Sequence, residues 1–344
     1  MSNTLQQSMF DAIETELKQQ VSRLDQPHTQ PFHEMLTYHM GWTGEGAGAQ
    51  AAGKRIRPLL TLLSVASIEN KKEANGSNNW LHAVSLAASI ELVHNFSLVH
   101  DDIQDNSELR RGRKTAWVKW GAPMAINVGD ALFVIANQAA LSLKAHYPAE
   151  IVVRAAEILN NCCLDLTRGQ FLDMSYEERN DLTMEDYWPM IGGKTSALLS
   201  ACTQIGALLG YAQEGAIENY RLFGYHLGLA FQVQDDVLGI WGDGSVTGKS
   251  AASDLVEGKN SLPVLFALEK KGEFSKRWRQ GPIRQDEVGY VSGLLKNEGA
   301  KLYAEKTSED LTQKALGYLK DAAPQGEAGK AILGLANTLL KRKQ

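Results

Sequence analysis

The chain has 344 residues, of which 44% are hydrophobic and 22% are charged, and its formal net charge is −5. These values are ordinary for a globular protein with a large core, and the acidic balance excludes a broad nucleic-acid-binding surface. Basic residues therefore matter only where they cluster locally along the chain.

The three cysteines, Cys162, Cys163 and Cys202, show neither metal-ligand spacing nor an even count. We expect them to be small buried side chains in a reducing compartment. Residues 1–17 are polar and mixed in charge, unlike a signal peptide, and no uninterrupted apolar run reaches the roughly 18 residues of a membrane helix. We predict a cytoplasmic protein with no nucleic-acid partner and no stable membrane insertion.

Helical periodicity covers most of the chain, whereas the period-2 alternation of strands is almost absent. The predicted helices are residues 6–24, 57–68, 80–102, 123–144, 148–171, 183–190, 194–210, 216–241, 262–270, 285–297, 300–319 and 327–341. Several of them are apolar on most faces, which is typical of interior helices. Because no linker composition marks a boundary, we predict an all-α fold in which residues 1–344 form one large helical bundle.

The first candidate site is the acidic cluster Asp101, Asp102 and Asp105, which ends a long apolar run. His94, Asp101 and Asp105 share one face if the helix continues. Neighbouring carboxylates in an apolar interior raise one another's pKa unless cations neutralise them. Mg²⁺ binds through a few carboxylates and substrate phosphates. The cluster therefore predicts a Mg²⁺ site, and His94 is either a core histidine or a ligand for a second anion.

Two basic segments lie near this cluster. The segment 110–115 (RRGRKT) follows the acidic cluster directly, and arginine forks bind phosphate oxygens in a bidentate manner. The segment 53–58 (GKRIRP) opens an apolar helix, where three cations and the backbone N–H groups of a helix start would bind an anion. Both segments predict phosphate binding.

A second acidic pair, Asp235 and Asp236, ends another apolar run and is followed by Lys249 and Lys259. The tripeptides at 193–195 (GKT) and 248–250 (GKS) suggest a nucleotide-binding P-loop, but both lack the first required glycine and neither follows a strand. We therefore reject an ATPase or kinase. The two acidic clusters with nearby cations indicate a Mg²⁺-dependent diphosphate enzyme.

The ordered set of motifs resembles the trans-isoprenyl diphosphate synthases, also called the polyprenyl synthetase family. The resemblance spans about residues 54–263 and runs, in the order of the family, through GKRIRP, ELVH, DDIQD, RRGRKT, GDAL, RGQFLDM, GGKTS, FQVQDD, TGKS, SDL and GKNSLP. Each motif is modest by itself, but the ordered set is highly specific.

The resemblance implies an all-α bundle around a deep central cavity, usually in a homodimer. The implied reaction of isoprenoid biosynthesis is the head-to-tail condensation of isopentenyl diphosphate with an allylic diphosphate. Three Mg²⁺ ions would connect the allylic diphosphate to both acidic clusters and neutralise the leaving group. The isopentenyl double bond would attack the allylic cation, and the released diphosphate would accept the proton.

The resemblance also assigns roles to individual residues. The metal ligands would be Asp101, Asp102, Asp105, Asp235 and Asp236. The allylic diphosphate would contact Arg110, Lys194, Lys249 and Lys259. The isopentenyl diphosphate would contact Lys54, Arg57, His94 and Arg111. Thr195 and Gln232 would line the reacting centre and steady the cation.

This chain departs from the family at two positions. Gly239 stands where the last aspartate of the second motif is usual, although Asp254 is nearby in sequence, and Lys114 stands where a proline is frequent. We expect activity to survive the first change and the second change to matter little.

Product length depends in this family on side chains just before the first acidic pair. Phe96 and Ser97 occupy these positions, five and four residues before Asp101. A bulky Phe96 predicts a blocked cavity and a short-chain product, with geranylgeranyl diphosphate as the first expectation and farnesyl diphosphate as the second.

Two other classes of protein remain open. A class I terpene cyclase or a head-to-head synthase would also use an acidic helix and Mg²⁺, but the cyclase's second motif is missing from the nearest candidate position, residues 180–188. A non-catalytic regulatory subunit of a prenyl synthase would usually lose one acidic motif, whereas this chain keeps both pairs.

Overall fold

The computed structural model describes residues 2–68, 79–177, 179–242 and 253–340. The chain divides into two compact units, and the one-domain organisation remains a prediction. Unit 1 comprises Met1–Asn160, Cys202–Ile217 and Pro324–Ile332, and unit 2 comprises Asn161–Ala201, Glu218–Ala323 and Leu333–Gln344.

Almost every element among the described residues is helical, which confirms the all-α prediction. The α-helices are α1 (Ser2–Val21), α2 (Gln30–His39), α3 (Ala49–Ala52), α4 (Ile56–Ala66), α5 (Val84–Gln104), α6 (Ala116–Trp120), α7 (Ala122–Leu141), α8 (Ala149–Tyr176), α9 (Met184–Ile191), α10 (Ala197–Leu209), α11 (Glu214–Trp241), α12 (Ser253–Val256), α13 (Leu262–Lys270), α14 (Glu273–Trp278), α15 (Val288–Asn297), α16 (Ala300–Asp321) and α17 (Gly326–Leu340). Short 3₁₀ turns cover Ser22–Leu24, Asn79–Ala83 and Ser142–Ala145, and Gly192–Ser196 forms one turn of π-helix.

Five helices and one hairpin among the described residues were absent from the sequence prediction, and the helices are α2, α3, α6, α12 and α14. Helix α2 is short and polar, and its apolar residues do not repeat long enough to stand out. The antiparallel hairpin of β1 (Leu109–Arg110) and β2 (Arg113–Lys114) has strands too short to show alternation. Arg111 and Gly112 between them have positive φ angles of 53° and 76°, as a two-residue hairpin turn of type I′ requires.

Unit 1 is built around α5, which packs against α1, α4 and α7. Most of its side chains from Val84 to Val99 are buried, because the helix is apolar nearly all round. Gly129 of α7 allows a close approach, since a Cβ there would overlap the ring of His100 on α5. The core of unit 1 thus fixes the helix that ends in the first acidic cluster.

The stretch from Ala122 to Ala145, which contains α7, is long and apolar enough to pass a length and composition test for a membrane span. Asp130 interrupts this stretch, so the expectation that no uninterrupted apolar run reaches about 18 residues is not contradicted. The same test is passed by core helices of globular proteins, and α7 packs against α5 inside unit 1. The cytoplasmic location remains a prediction.

Unit 2 contains two clusters of buried side chains. The first joins α9, α11, α13 and α16 through residues such as Tyr187, Val233 and Leu262. The second surrounds Phe274 and includes Leu255 and Leu295. The first cluster surrounds the second acidic pair, because Asp236 lies on α11 between Val233 and Val237.

Candidate active site

The first acidic cluster lies at the C-terminal end of α5. The helix ends at Gln104, and the backbone N–H of Asp105 still donates to the carbonyl of Asp101 at 2.8 Å. The helix therefore continues far enough for Asp101 and Asp105 to share one face, as the sequence predicted. Asp102 is buried, Asp101 is partly buried and Asp105 is exposed, so the three carboxylates have different access to solvent.

Asp102 is paired with Arg110 of the hairpin. The Arg110 Nε donates to both carboxylate oxygens of Asp102, at 2.8 and 3.0 Å, and a terminal nitrogen lies 2.7 Å from one of them. Burial raises the pKa of Asp102 and the guanidinium of Arg110 opposes that rise. The hairpin thus brings the guanidinium of Arg110, a group that binds phosphate well, into contact with the candidate metal ligand Asp102.

A second cationic group lies elsewhere in unit 1. A terminal nitrogen of Arg57 lies 3.2 Å from Nε2 of His94. Burial lowers the pKa of His94 well below its ordinary value, and Arg57 and Arg111 lower it further. His94 is therefore neutral, its Nε2 accepts from Arg57, and its Nδ1 carries the proton. The Nε of Arg57 is buried and has no hydrogen-bond partner among the described residues.

The three cations in the GKRIRP segment have different surroundings. Arg55 is buried and forms ion pairs with Glu14 at 2.6 Å and Glu91 at 2.9 Å. The prediction that three cations form the anion site was wrong at Arg55, because the long-range partners that neutralise it are invisible in the local pattern. Lys54 is exposed, and Arg57 remains beside His94.

A small open pocket in unit 1 is lined by residues that include His39, Asn95, Asp102, Arg110 and Arg111. Burial, together with the positive charges of Arg110 and Arg111, lowers the pKa of His39 to about 3. Its Nε2 has no hydrogen-bond partner among the described residues. Sequence reasoning missed His39 because it missed α2. The deep central cavity that the family implies remains a prediction.

In unit 2, Asp236 is surrounded by protein donors. Its Oδ2 accepts from the hydroxyl of Tyr187 at 2.7 Å and from the backbone N–H of Leu262 at 2.9 Å, and its Oδ1 accepts from Gln232 at 3.0 Å. Burial raises the pKa of Asp236 to about 6 despite these donors. Asp235 is partly exposed. Both remain predicted metal ligands, but Asp236 would have to exchange these donors for an ion.

Lys194 and Thr195 belong to the π-helical turn Gly192–Ser196. Lys194 is paired with Asp173 of α8, and the hydroxyl of Thr195 donates to Gln232 at 2.8 Å. A Cβ on Gly169 of α8 would overlap the backbone at Lys194, so the glycine allows the turn to lie against α8. Sequence reasoning missed Asp173, although the RGQFLDM motif that contains it was part of the resemblance.

Lys259 lies 3.7 Å from Asp254 and 2.8 Å from Glu257. Burial lowers the pKa of Lys259, but the carboxylates of Asp254 and Glu257 raise it by more. The pKa of Lys259 therefore lies above its ordinary value. Lys249, the other lysine predicted after the second acidic pair, lies outside the described residues.

The described residues contain no group of three or more His, Cys, Asp or Glu side chains arranged to hold a metal ion. Their donor chemistry nevertheless fits Mg²⁺, because carboxylate oxygens are present at the ends of two helices and Mg²⁺ takes its remaining ligands from water and substrate phosphate. An ion would therefore bind together with a phosphate group rather than to carboxylates alone.

The two predicted chain-length residues lie side by side on α5. The ring of Phe96 packs edge-on against Phe133 of α7 at 5.0 Å and against His100 at 5.8 Å. The hydroxyl of Ser97 donates to the carbonyl of His94 at 2.9 Å. Phe96 is therefore held in place by a neighbouring helix, a contact that the sequence did not indicate.

Comparison with known proteins decides the family. Residues 47–291 match the polyprenyl synthetase family. The chain belongs to this family. It is 35% identical over 321 residues to a geranylgeranyl diphosphate synthase of Mycobacterium tuberculosis, covering 91% of this chain and 87% of that protein. It is 36% identical over 304 residues to a (2E,6E)-farnesyl diphosphate synthase of Mycobacterium bovis, covering 86% of this chain and 80% of the relative.

A solved structure supports the same assignment. A polyprenyl synthetase from Streptomyces coelicolor is 33% identical and superposes with a TM-score of 0.85, covering 99% of this chain and 100% of that chain. The resemblance found in the motifs and the all-α fold are both confirmed, and the protein is a polyprenyl synthetase of the prenyltransferase type.

Within the polyprenyl synthetase family, Gly239 is the departure that the structure explains. A Cβ on Gly239 would overlap Oδ2 of Asp254. The carboxylate of Asp254 therefore lies where a side chain at position 239 would begin. A negative charge is present at this point of the second acidic cluster, but it comes from a residue further along the chain.

Proposed function

We propose that this polyprenyl synthetase is a Mg²⁺-dependent enzyme that condenses isopentenyl diphosphate head to tail with an allylic diphosphate. The observation that supports this most is the presence of two different cationic groups in unit 1. Arg110 is paired with the candidate metal ligand Asp102, whereas Arg57 lies beside neutral His94. A metal-linked diphosphate and a metal-free diphosphate would require these two environments.

The first group serves the allylic diphosphate. Asp101, Asp102 and Asp105 would hold metal through their carboxylates, Asp235 and Asp236 are the other predicted metal ligands, and three ions are expected from the family. When bound, Mg²⁺ neutralises the departing diphosphate. Arg110 then exchanges its contact with Asp102 for phosphate oxygens, since a guanidinium binds either anion in the same bidentate manner. Lys194, Lys249 and Lys259 add charge to the same diphosphate.

The second group serves isopentenyl diphosphate. The unpaired Nε of Arg57 donates to a phosphate oxygen, because a buried donor without a partner carries a free-energy penalty that a ligand removes. Neutral His94 donates through Nδ1. Lys54 and Arg111 complete the site.

The reacting carbon requires dipoles rather than a strong base. The hydroxyl of Thr195 and the amide of Gln232, which bond to each other, steady the allylic cation through their oxygen atoms. The departed diphosphate accepts the proton that is lost after attack by the double bond.

The product is a short all-trans chain, geranylgeranyl diphosphate first and farnesyl diphosphate second. Phe96 supports this assignment, because its ring is packed against Phe133 and a growing chain would have to displace it. The relatives named above include both product classes.

The working enzyme is a homodimer. The exposed face of α7 carries Ile126, Val134 and Leu141, and an apolar row on one helix face favours packing against a partner. Sedimentation of the wild type should show a dimer and Val134→Asp a monomer. Leu302→Asp, at an exposed position on α16, is the control. An unchanged dimer in Val134→Asp would remove this face from consideration.

Product analysis tests the reaction. Purified protein is incubated with Mg²⁺, isopentenyl diphosphate and dimethylallyl, geranyl or farnesyl diphosphate, and products are identified by mass spectrometry. We expect linear geranylgeranyl diphosphate that disappears with EDTA. A cyclic hydrocarbon would indicate a cyclase, and no product from folded protein with any starter would indicate a regulatory subunit.

A further inference from the structure

The glycine-rich segment 41–53 joins α2 to α4 and leads directly into Lys54. It is attached to the hairpin by Arg113. The Nε of Arg113 donates to the carbonyl of Glu45 at 2.9 Å, and its two terminal nitrogens donate to the carbonyls of Tyr38 at 2.9 Å and Thr43 at 2.7 Å. Three nitrogens of one side chain thus hold three backbone carbonyls.

Tyr38 strengthens this attachment. Its ring lies between two cations, with the guanidinium of Arg113 and the ammonium of Lys119 each 4.1 Å from the ring centre. Its hydroxyl donates to the carbonyl of Lys114 at 2.8 Å. Gly44 packs on the same ring, since a Cβ there would lie 2.7 Å from the ring and 3.3 Å from Arg113.

The first part of the segment, residues 41–48, contacts the residues just before Lys54. The N–H of Gly48 donates to the carbonyl of Gly41 at 3.0 Å and closes the loop. A Cβ on Gly41 would overlap the backbone of Ala51 and Ala52, so the two ends of the loop touch. Arg111 donates to the carbonyl of Ala51 at 2.7 Å. Fixing the first part of the segment, residues 41–48, therefore also fixes the backbone just before Lys54.

We propose that Arg113 is a positioning residue that fixes the 41–53 segment so that Lys54 and Arg57 are held ready for the metal-free diphosphate. This inference rests on the proposed function. Arg113 acts through the backbone, because three of its five N–H groups donate to protein carbonyls. Among the arginines of the hairpin it differs from Arg110, whose partner is a carboxylate that a metal ion can take over.

The attachment is tested without substrate by amide hydrogen exchange of the full chain. In Arg113→Met and in Gly44→Ala we expect faster exchange at the amides of residues 42–53, with Gly48 as the reporter of loop closure. Gly44→Ala changes no charge and loosens the segment in two ways, through the contact with the Tyr38 ring and through its φ of 82°, which alanine rarely adopts. Arg277→Met is the matched control, because Arg277 also donates to two backbone carbonyls and a carboxylate. Unchanged exchange in both test variants would overturn the proposal.

The functional part is tested by steady-state kinetics. We expect the KM for isopentenyl diphosphate to rise about tenfold in Arg113→Met, as for the loss of a charge-assisted contact, while the KM for the allylic diphosphate and kcat stay within twofold. Arg113→Lys keeps the charge near Tyr38 but cannot hold three carbonyls, so we expect an intermediate rise. Equal changes in both KM values, or the same changes in Arg277→Met, would show a purely structural role and overturn the proposal.

The two hypotheses fail in different ways. A wild type that elongates no allylic starter contradicts the proposed function. Calorimetric titration of isopentenyl diphosphate into wild type and Arg113→Met then replaces the KM comparison. A tenfold weaker affinity in the variant would support positioning by Arg113, and equal affinities or no binding by either protein would overturn it.

Discussion

Phe96 is the residue whose replacement reports most directly on the product. Its ring rests on Phe133 and His100, so removing the ring opens space beside α5. We expect Phe96→Ala to shift the products, measured by mass spectrometry, toward chains longer than those of the wild type. Phe171→Ala, at an exposed position on α8, should leave the distribution unchanged. A product distribution in Phe96→Ala that is identical to that of the wild type would contradict the prediction that Phe96 limits the length of the product chain.

Whereas Phe96→Ala removes a side chain, Gly239→Asp adds one. It introduces the aspartate that the family usually has at this position. In Gly239→Asp the new side chain overlaps the carboxylate of Asp254 and places two negative charges together. We expect the free energy of unfolding, from urea titration, to fall by about 1–3 kcal/mol, and elongation activity to fall rather than rise.

The matched control for Gly239→Asp is Gly317→Asp. Gly317 lies on the exposed side of α16 and nothing surrounds its Cβ position, so the aspartate enters solvent. A stable, more active Gly239→Asp would show that Asp254 does not occupy the place of the missing carboxylate.

Asp236 acts at the scale of helices, because its three donors come from α9, from α11 itself and from the first residue of α13. It therefore connects three of the helices that surround the second acidic pair. Its predicted role as a metal ligand and this positioning role can be separated by pH in metal-free protein.

The pKa of Asp236 is raised from 3.8 to about 6 in the folded protein, so the folded state binds this proton more tightly than the unfolded state. The stability that results is fully present below pH 3.8 and is lost as the pH rises through 6. Relative to Asp236→Asn, which cannot titrate, the wild type should lose about 2 kcal/mol of unfolding free energy between pH 4 and pH 7. Urea titrations with EDTA at pH 4 and pH 7 measure this difference, and equal values at both pH values would contradict it.

The elements show where sequence prediction succeeded and where it failed. Helix α13 has the predicted bounds, 262–270, and α5 extends to the acidic cluster as its periodicity indicated. Helix α2 and the hairpin were missed, because four strand residues and a short polar helix carry no repeating pattern. Missing these two elements had a consequence for the site, since α2 carries His39 and the hairpin carries Arg113.

At the scale of the whole molecule, the surroundings of the acidic clusters predict how metal binds. No group of three metal-ligating side chains is preassembled in the part of the chain that the structure describes, so Mg²⁺ alone should barely raise the melting temperature. Mg²⁺ with inorganic diphosphate should raise it clearly, because a ligand at about 100 times its Kd adds about 2.7 kcal/mol of stability. Differential scanning fluorimetry measures both conditions at equal ionic strength.

EDTA should abolish the shift produced by the combination. An equally large shift with Mg²⁺ alone would mean that the carboxylates form a metal site without phosphate.

The sequence by itself determined the class of fold, the family and the chemistry. Helical periodicity is a local property, repeated every few residues, and the ordered motifs identified a polyprenyl synthetase that the comparisons confirm. Only the tertiary structure decided which charged groups are paired. Arg55 bonds Glu91, 36 residues away, and Asp236 accepts from Tyr187 at a separation of 49 residues. Such pairs depend on how helices pack, and no local spacing in the chain records them.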